Sequence, residues 1–174
     1  MNRSLFYALL LFQVGILAMF SWQYFLIDYY GETVIFVTEK KDNSWFQSYD
    51  YRGNIYLTYE INMIPQDKWE IDEELDYNDL VYVLLEKDDA GQLHVQKAST
   101  KKIDQTSEQI LLKGKYQYYE SSPNSKIKKH KVYYGIEKVA RKDLIDQNLS
   151  SHPLEVIVKI SPWKQMKIVD IRGS

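Results

Sequence analysis

Histidines, clustered acids and serines are the residues with which this chain could do chemistry. Its three histidines, His94, His130 and His152, lie in separate segments, and none forms a His-x-x-x-His pair. His94 alternates with Leu93 and Val95 and is expected to face water, while His130 sits inside a lysine run. A three-histidine metal site would need folding to gather them. Asp67, Glu70, Asp72, Glu73, Glu74, Asp76 and Asp79 supply oxygen ligands at a density that could attract calcium. No glycine stands where an EF-hand loop must turn, so a solvated acidic segment is expected instead. Ser44 and Ser48 could act as nucleophiles, but no Gly-x-Ser-x-Gly elbow occurs and nothing in the spacing pairs a serine with a base. With no cysteine, thiol catalysis, thiolate metal sites and disulfides drop out together. The residues therefore predict no catalytic centre, no metal and no cofactor, and a protein that is not an enzyme.

Binding chemistry is better represented. "KIKKHK" holds Lys126, Lys128, Lys129 and Lys131, a candidate interaction surface for anionic headgroups or an acidic partner, or else an exposed hairpin tip. Among fifteen tyrosines, Tyr116, Tyr118, Tyr119, Tyr133 and Tyr134 fall on two segments expected to be adjacent strands. Such rings stabilise sheets as cross-strand pairs, and they also suit interfaces or a carbohydrate platform. A net charge of −2 argues against nucleic acid as the partner.

What must position these residues is a single domain on an apolar stem. No charge occurs between Arg3 and Asp28. Leu5 to Ile27, including Leu9, Leu17 and Phe25, would reach about 34 Å as a helix, enough for a hydrocarbon core of about 30 Å. Trp22, Tyr24, Tyr29 and Tyr30 gather at its far end, where aromatic rings favour headgroups. A buried core helix and a cleaved signal peptide are the competing readings. The first does not suit a run of this length at the N-terminus. The second lacks small residues at a cleavage site. Residues 1–30 are therefore expected to be a cytoplasmic stub and retained transmembrane anchor, and residues 31–174 an extracytoplasmic domain. Arg3 precedes the helix and Asp28 and Glu32 follow it, so the positive-inside rule keeps the N-terminus in the cytoplasm.

Past Ile27 the pattern turns to period two. Strands are expected at Glu32–Lys41, Asn54–Met63, Leu80–Asp88, Leu93–Ser99, Gln109–Glu120, Lys131–Val139, Leu154–Ile160 and Met166–Ile171. "PQDKWEIDEELDYND" and "RKDLIDQNLSS" read as loops or short helices, and no internal repeat is visible. About eight strands without βαβ alternation predict a mainly β fold, an antiparallel meander that is barrel-like or a sandwich.

The order of short motifs carries a resemblance. "RGNIYLTYEI", then "VYVLLEKDDAGQLHV", "LLKGKY", "VYYGIEKV" and "LEVIVKI…MKIVDI" resembles the GDYXXLXY family of bacterial membrane-anchored proteins. Gly31 and Val34 match its first strand. Gly53, Leu57 and Tyr59 match the name-giving motif, followed by Val81, Tyr82 and Val83, by Leu112 and Gly114, and by Tyr134, Gly135, Ile136 and Glu137. Asn54 stands where the family has Asp, and Ile55 where it has Tyr. An Asn there keeps a turn-capping acceptor but loses a charge, so the motif reads as the start of a strand rather than an active site. The resemblance implies a location in the cell membrane and an architecture more than an activity. It also implies a multi-spanning membrane protein as partner, because family members are often encoded beside or fused to such proteins. An accessory or interaction subunit is thus expected. A domain sensing a cell-envelope ligand or glycan is the alternative, and an anchored hydrolase the more remote one.

Overall fold

A computed structural model describes residues 3–39, 46–49, 53–121, 128–140 and 153–173. Ser44, Lys126, His152 and the 141–151 segment lie outside the described residues.

The apolar stem is one helix, α1 (Arg3–Tyr30). Apolar residues surround it on every side, and Leu5, Leu9, Leu17 and Phe25 are each more than half exposed. Its stretch Leu5–Tyr30 is long and apolar enough to cross a membrane. Only its last turn docks on the domain. Ile27 is buried there, Lys159 Nζ donates to the Asp28 carbonyl at 2.6 Å, and Lys167 Nζ meets the Asp28 carboxylate at 2.8 Å.

Among the described residues eleven strands follow. They are β1 (Glu32–Val37), β2 (Phe46–Tyr49), β3 (Asn54–Leu57), β4 (Met63–Pro65), β5 (Leu80–Lys87), β6 (Leu93–Ser99), β7 (Gln109–Ser121), β8 (Lys128–Tyr133), β9 (Lys138–Ala140), β10 (Leu154–Ile160) and β11 (Met166–Gly173). Every strand pair is antiparallel, in three sheets ordered β1-β10-β11, β2-β3-β9 and β4-β8-β7-β5-β6. The five-stranded sheet nearly closes as a barrel. Past β4 the chain makes a 3-10 turn (Gln66–Lys68), and Glu70 N then donates to Ala98 O on β6 at 2.9 Å. One run of chain thus serves both edges, which protects backbone groups that an open sheet would expose.

Alternation sets the inner face. In β10, Leu154, Val156, Val158 and Ile160 are buried while the residues between them are half-exposed. Val34 and Phe36 of β1, Ile55 and Leu57 of β3, and Val81, Val83 and Leu85 of β5 join them in one core.

Two expected strands are corrected. Asn54–Met63 is broken by a 3-10 turn at Glu60–Asn62, and Lys131–Val139 is broken around Tyr134–Glu137. Apolar and polar residue types go on alternating from Tyr59 to Met63, which is why periodicity reads through the first break although Asn62 is buried. The backbone turns because buried polar side chains bond it locally. With β2, which alternation did not reveal, the two splits turn about eight strands into eleven.

Candidate functional site

The two breaks meet. β3 pairs with β9 and β4 with β8, so the turns Tyr59–Asn62 and Tyr134–Glu137 lie against each other. Their sequences match in pattern: Tyr-Glu-Ile-Asn and Tyr-Gly-Ile-Glu. In each, the last side chain accepts from the first residue's backbone: Tyr59 N donates to Asn62 Oδ1 at 2.6 Å, and Tyr134 N to Glu137 Oε1 at 2.6 Å. Each tyrosine hydroxyl then donates to the third carbonyl of the opposite turn, Tyr59 to Ile136 O at 3.0 Å and Tyr134 to Ile61 O at 2.8 Å. Asn62 Nδ2 closes the pair by donating to Glu137 Oε1 at 2.8 Å and Val132 O at 2.7 Å.

Gly135 N adds a donor to Glu137 Oε2 at 2.7 Å. Burial pushes the Glu137 carboxyl up from the ordinary range, and the surrounding N–H donors pull it back. All these neighbours can only donate, so the site is built for the carboxylate form. Burial raises the Tyr59 and Tyr134 hydroxyls far above their ordinary value, which keeps both as O–H donors. Tyr59 also packs edge-on against Phe36, ring centroids 5.3 Å apart, and so ties the crossing to β1. This reciprocal network can hold geometry. It has no open face toward a substrate, since Tyr59 and Asn62 are fully buried.

An open groove lies on the other side of the same strands. In β8, Val132 faces the core while Lys131 and Tyr133 face out. Together with Tyr56, Tyr77, Asn78, Lys115, Gln117 and Tyr118 they line a cleft of about 510 Å³. Lys131 Nζ stands 5.5 Å over the Tyr118 ring, and Lys138 Nζ 5.8 Å over Tyr56, both in cation–π range. Tyr77 is 68% exposed and Tyr118 42%, so both rings are free to be covered. Asn78, at φ 73°, sets the loop: its N–H donates to Tyr116 O, and Tyr116 N to Asp79 O, each at 2.8 Å. The Tyr133 hydroxyl is pushed up by partial burial and by nearby Glu137 and Tyr56. The groove therefore has aromatic walls, cationic edges and a floor stiffened by the crossing.

A family sequence model covers residues 13–170. The chain belongs to the GDYXXLXY protein family. No curated protein and no solved structure matches the chain. Seen against this fold, the residues of the GDYXXLXY motifs are mostly parts of the crossing and its supports. Gly53 takes φ 74° at the entry to β3, a backbone state that glycine adopts without steric cost. Asn54 opens β3 opposite Ala140 and is half-buried. Leu57 is core. Tyr59, Tyr134 and Glu137 make the network, and Gly135 provides its left-handed turn at φ 90°. Gly114 lies where a Cβ would come 2.2 Å from Val132 Cγ1. Tyr82 is outside this group; it sits half-exposed on β5 with Lys113 Nζ 5.7 Å from its ring centroid.

Two described side chains of the basic run, Lys129 and Lys131, share one face of β8 and meet different partners. Lys129 Nζ bonds Glu39 at 3.0 Å, and Lys131 enters the tyrosine groove. Lys128 pairs by its backbone with Ser121. His130 faces the other way and stacks on Trp69, centroids 3.9 Å apart and planes 2° apart, with Gln66 Oε1 at 2.8 Å from Nε2. Burial pushes its imidazole below the ordinary value. His94 is exposed on β6 and meets Asp88 at 3.1 Å. From Asp67 to Asp76 every acid of the acidic run is exposed. The backbone of Ser48 lies in β2. Tyr116 and Tyr118 on β7 do adjoin β8, as expected, but Tyr116 packs on Trp69 while Tyr118 opens to the groove.

Asn62, Tyr56 and Tyr77 were not visible as site residues in the sequence. Asn62 had a signal: the spacing of Tyr59, Ile61 and Asn62 repeats in Tyr134, Ile136 and Glu137. Four residues are too few to register as a repeat.

Proposed function

We propose that this protein is a non-catalytic, single-pass membrane subunit whose β domain recognises a partner through the tyrosine–lysine groove. The observation that carries this reading is the groove itself. Tyrosine and cationic side chains on a rigid sheet are the usual makings of an interface anchor, because large rings lose little conformational entropy when covered. α1 holds the domain at the bilayer with the N-terminus in the cytoplasm and the groove outside, on the periplasmic or cell-wall side. The partner is a multi-spanning membrane protein that also lies along α1. Gly15 has nothing within 4 Å, and with Ala18 it leaves a shallow place for a second helix.

Purification of the full chain in mild detergent, followed by mass spectrometry, tests the reading. A membrane protein should co-purify with the wild type and be lost from a Tyr77→Ala/Tyr118→Ala variant that remains folded. Recovery of a clean monomer under several detergents would sink it. The same aromatic walls favour one second reading, a cell-envelope glycan laid across the tyrosine faces. Saturation-transfer NMR with peptidoglycan fragments separates the two, since only the glycan reading expects signal that disappears in the double variant.

A further inference from the structure

A second cleft shares no lining residue with the tyrosine groove. Glu32, two residues past α1, pairs with Ile160 at the end of β10. The turn after Ile160, closed by Ser161 N to Gln165 O at 2.8 Å, therefore lies level with the end of α1. This turn carries Trp163, 40% exposed, and Lys164 at φ 69°. Lys164 Nζ reaches Gln105 Oε1 at 3.2 Å, which brings the 102–105 loop to the same level. Tyr82, Lys102, Asp104, Lys113, Pro162 and Lys164 are among the residues that line a cleft of about 510 Å³ there.

Charge is uneven around it. The carboxylates nearest the helix end are already satisfied, Asp28 by Lys167 and Glu32 by Lys87. Lys102, Lys113 and Lys164 form no ion pair among the described residues, and Asp104 is the one acid in the cleft lining. Partial burial holds the Lys164 ammonium below its ordinary value, with Glu32 opposing that shift and Lys102 adding to it. Three ammonium groups with no carboxylate partner among the described residues, beside an exposed indole at the end of an apolar helix, match the layered chemistry of a bilayer surface, anionic outside and amphipathic just beneath. Lys129, in contrast, lies by Glu39, roughly 20 Å farther along the strand direction at about 3.3 Å per residue.

We propose that the cleft formed by Lys102, Lys113 and Lys164 seats the phosphodiester headgroup of an anionic phospholipid in the leaflet where α1 ends, with Trp163 at the acyl boundary. The proposal rests on α1 lying in a bilayer but not on any protein partner or glycan. Headgroup binding would hold the domain upright and fix which way the tyrosine groove faces.

Native mass spectrometry of the full chain in neutral detergent, titrated with phosphatidylglycerol or phosphatidylcholine, provides the test. The wild type should retain phosphatidylglycerol in preference, with roughly a fivefold loss of that preference for each lysine removed. Lys102→Gln/Lys113→Gln/Lys164→Gln should abolish the preference, and the corresponding triple arginine variant should keep it. Lys97→Gln, on β6 beside Glu70 and outside both grooves, should leave the preference unchanged. Equal retention of both lipids by the wild type would overturn the proposal. So would undiminished preference in the glutamine variant, or displacement of phosphatidylglycerol by inorganic phosphate at millimolar concentration, which would mark a soluble-anion site. All three lysines are exposed, so the variants should fold; single Lys164→Gln, read the same way, serves if the triple does not.

Discussion

Tyr133 and Tyr134 are neighbours in sequence and opposites in role. Tyr134 is buried, and its hydroxyl donates to Ile61 O; Tyr133 is half-exposed on the wall of an open groove. The same contrast separates the crossing from the groove as a whole. Both are built on β3 and β8, and both are rich in tyrosine. One uses the ring as core and the hydroxyl as a bolt, while the other leaves the ring uncovered. A tyrosine's meaning in this family fold is set by which face of the strand it occupies and by whether a carbonyl awaits its hydroxyl.

Substitutions can break that contrast in order of size. Glu137→Ala should do most, because Tyr134 N and Asn62 Nδ2 lose a buried acceptor, the latter keeping only Val132 O, and part-buried Gly135 N loses another. At 1–3 kcal/mol per stranded buried group the loss is about 3 kcal/mol or more, read as a large fall in unfolding midpoint of the full chain in detergent. Glu137→Gln should restore only part, since its amide would point a donor at donors. A Glu137→Ala protein as stable as the wild type would show that the crossing is not what joins the strands.

Gly114→Ala comes next. The added methyl meets Val132 Cγ1, with Tyr133 O and Tyr134 Cε1 close behind, so there is little room to yield. The expected cost is about 1–3 kcal/mol by the same midpoint measurement. The comparison of neighbours is sharper still. Tyr134→Phe should lose about 1 kcal/mol with its buried hydrogen bond, and Tyr59→Phe a similar amount, whereas Tyr133→Phe and Tyr118→Phe should stay within about 0.5 kcal/mol. Equal losses at Tyr133 and Tyr134 would erase the distinction between floor and wall.

The smallest effect is one of pH. Packing between Trp69, Gln66 and Tyr116 holds the His130 imidazole below its ordinary value of 6.5. The folded state then binds fewer protons than the unfolded one, so this contribution is fully present above about pH 6.5 and is lost as pH falls toward the folded value. Glu137 has the opposite sign, its carboxyl being raised: its contribution is fullest below the ordinary carboxyl range and is lost as pH rises through the folded value. Unfolding midpoints from pH 5 to 8 should flatten slightly in His130→Gln. Exposed Glu73 and Glu74 line a shallow cleft together with His130 and will temper the slope.

Much of the fold was legible because it depends on near neighbours. An uninterrupted apolar run gives α1, and alternation with Gly-rich or Pro-rich turns gives β5, β6, β10 and β11 nearly to the residue. The motif glycines were legible as positions, though not as reasons: Gly135 supplies a left-handed turn and Gly114 a close approach, which look alike in one dimension. The split strands were misread because alternation continues through Tyr59–Asn62 while the backbone leaves the sheet. Neither groove was visible, since each gathers residues from three or more segments, and in the lysine run that did stand out Lys129 turns to Glu39 while Lys131 enters the tyrosine groove.

By itself, then, the sequence determined the apolar helix, the mainly β character and the ordered motifs of the family, all of which rest on periods of two or 3.6 residues and on composition. The tertiary structure decided which tyrosines became bolts and which became walls, and which lysines, among the described residues, met a carboxylate. Those outcomes depend on partners such as Asn62 and Val132 or Tyr59 and Ile136, 70 and 77 residues apart. No local pattern encodes that a hydroxyl will find a carbonyl so far along the chain; only the closure of one strand pair against the other brings the two within 3.0 Å.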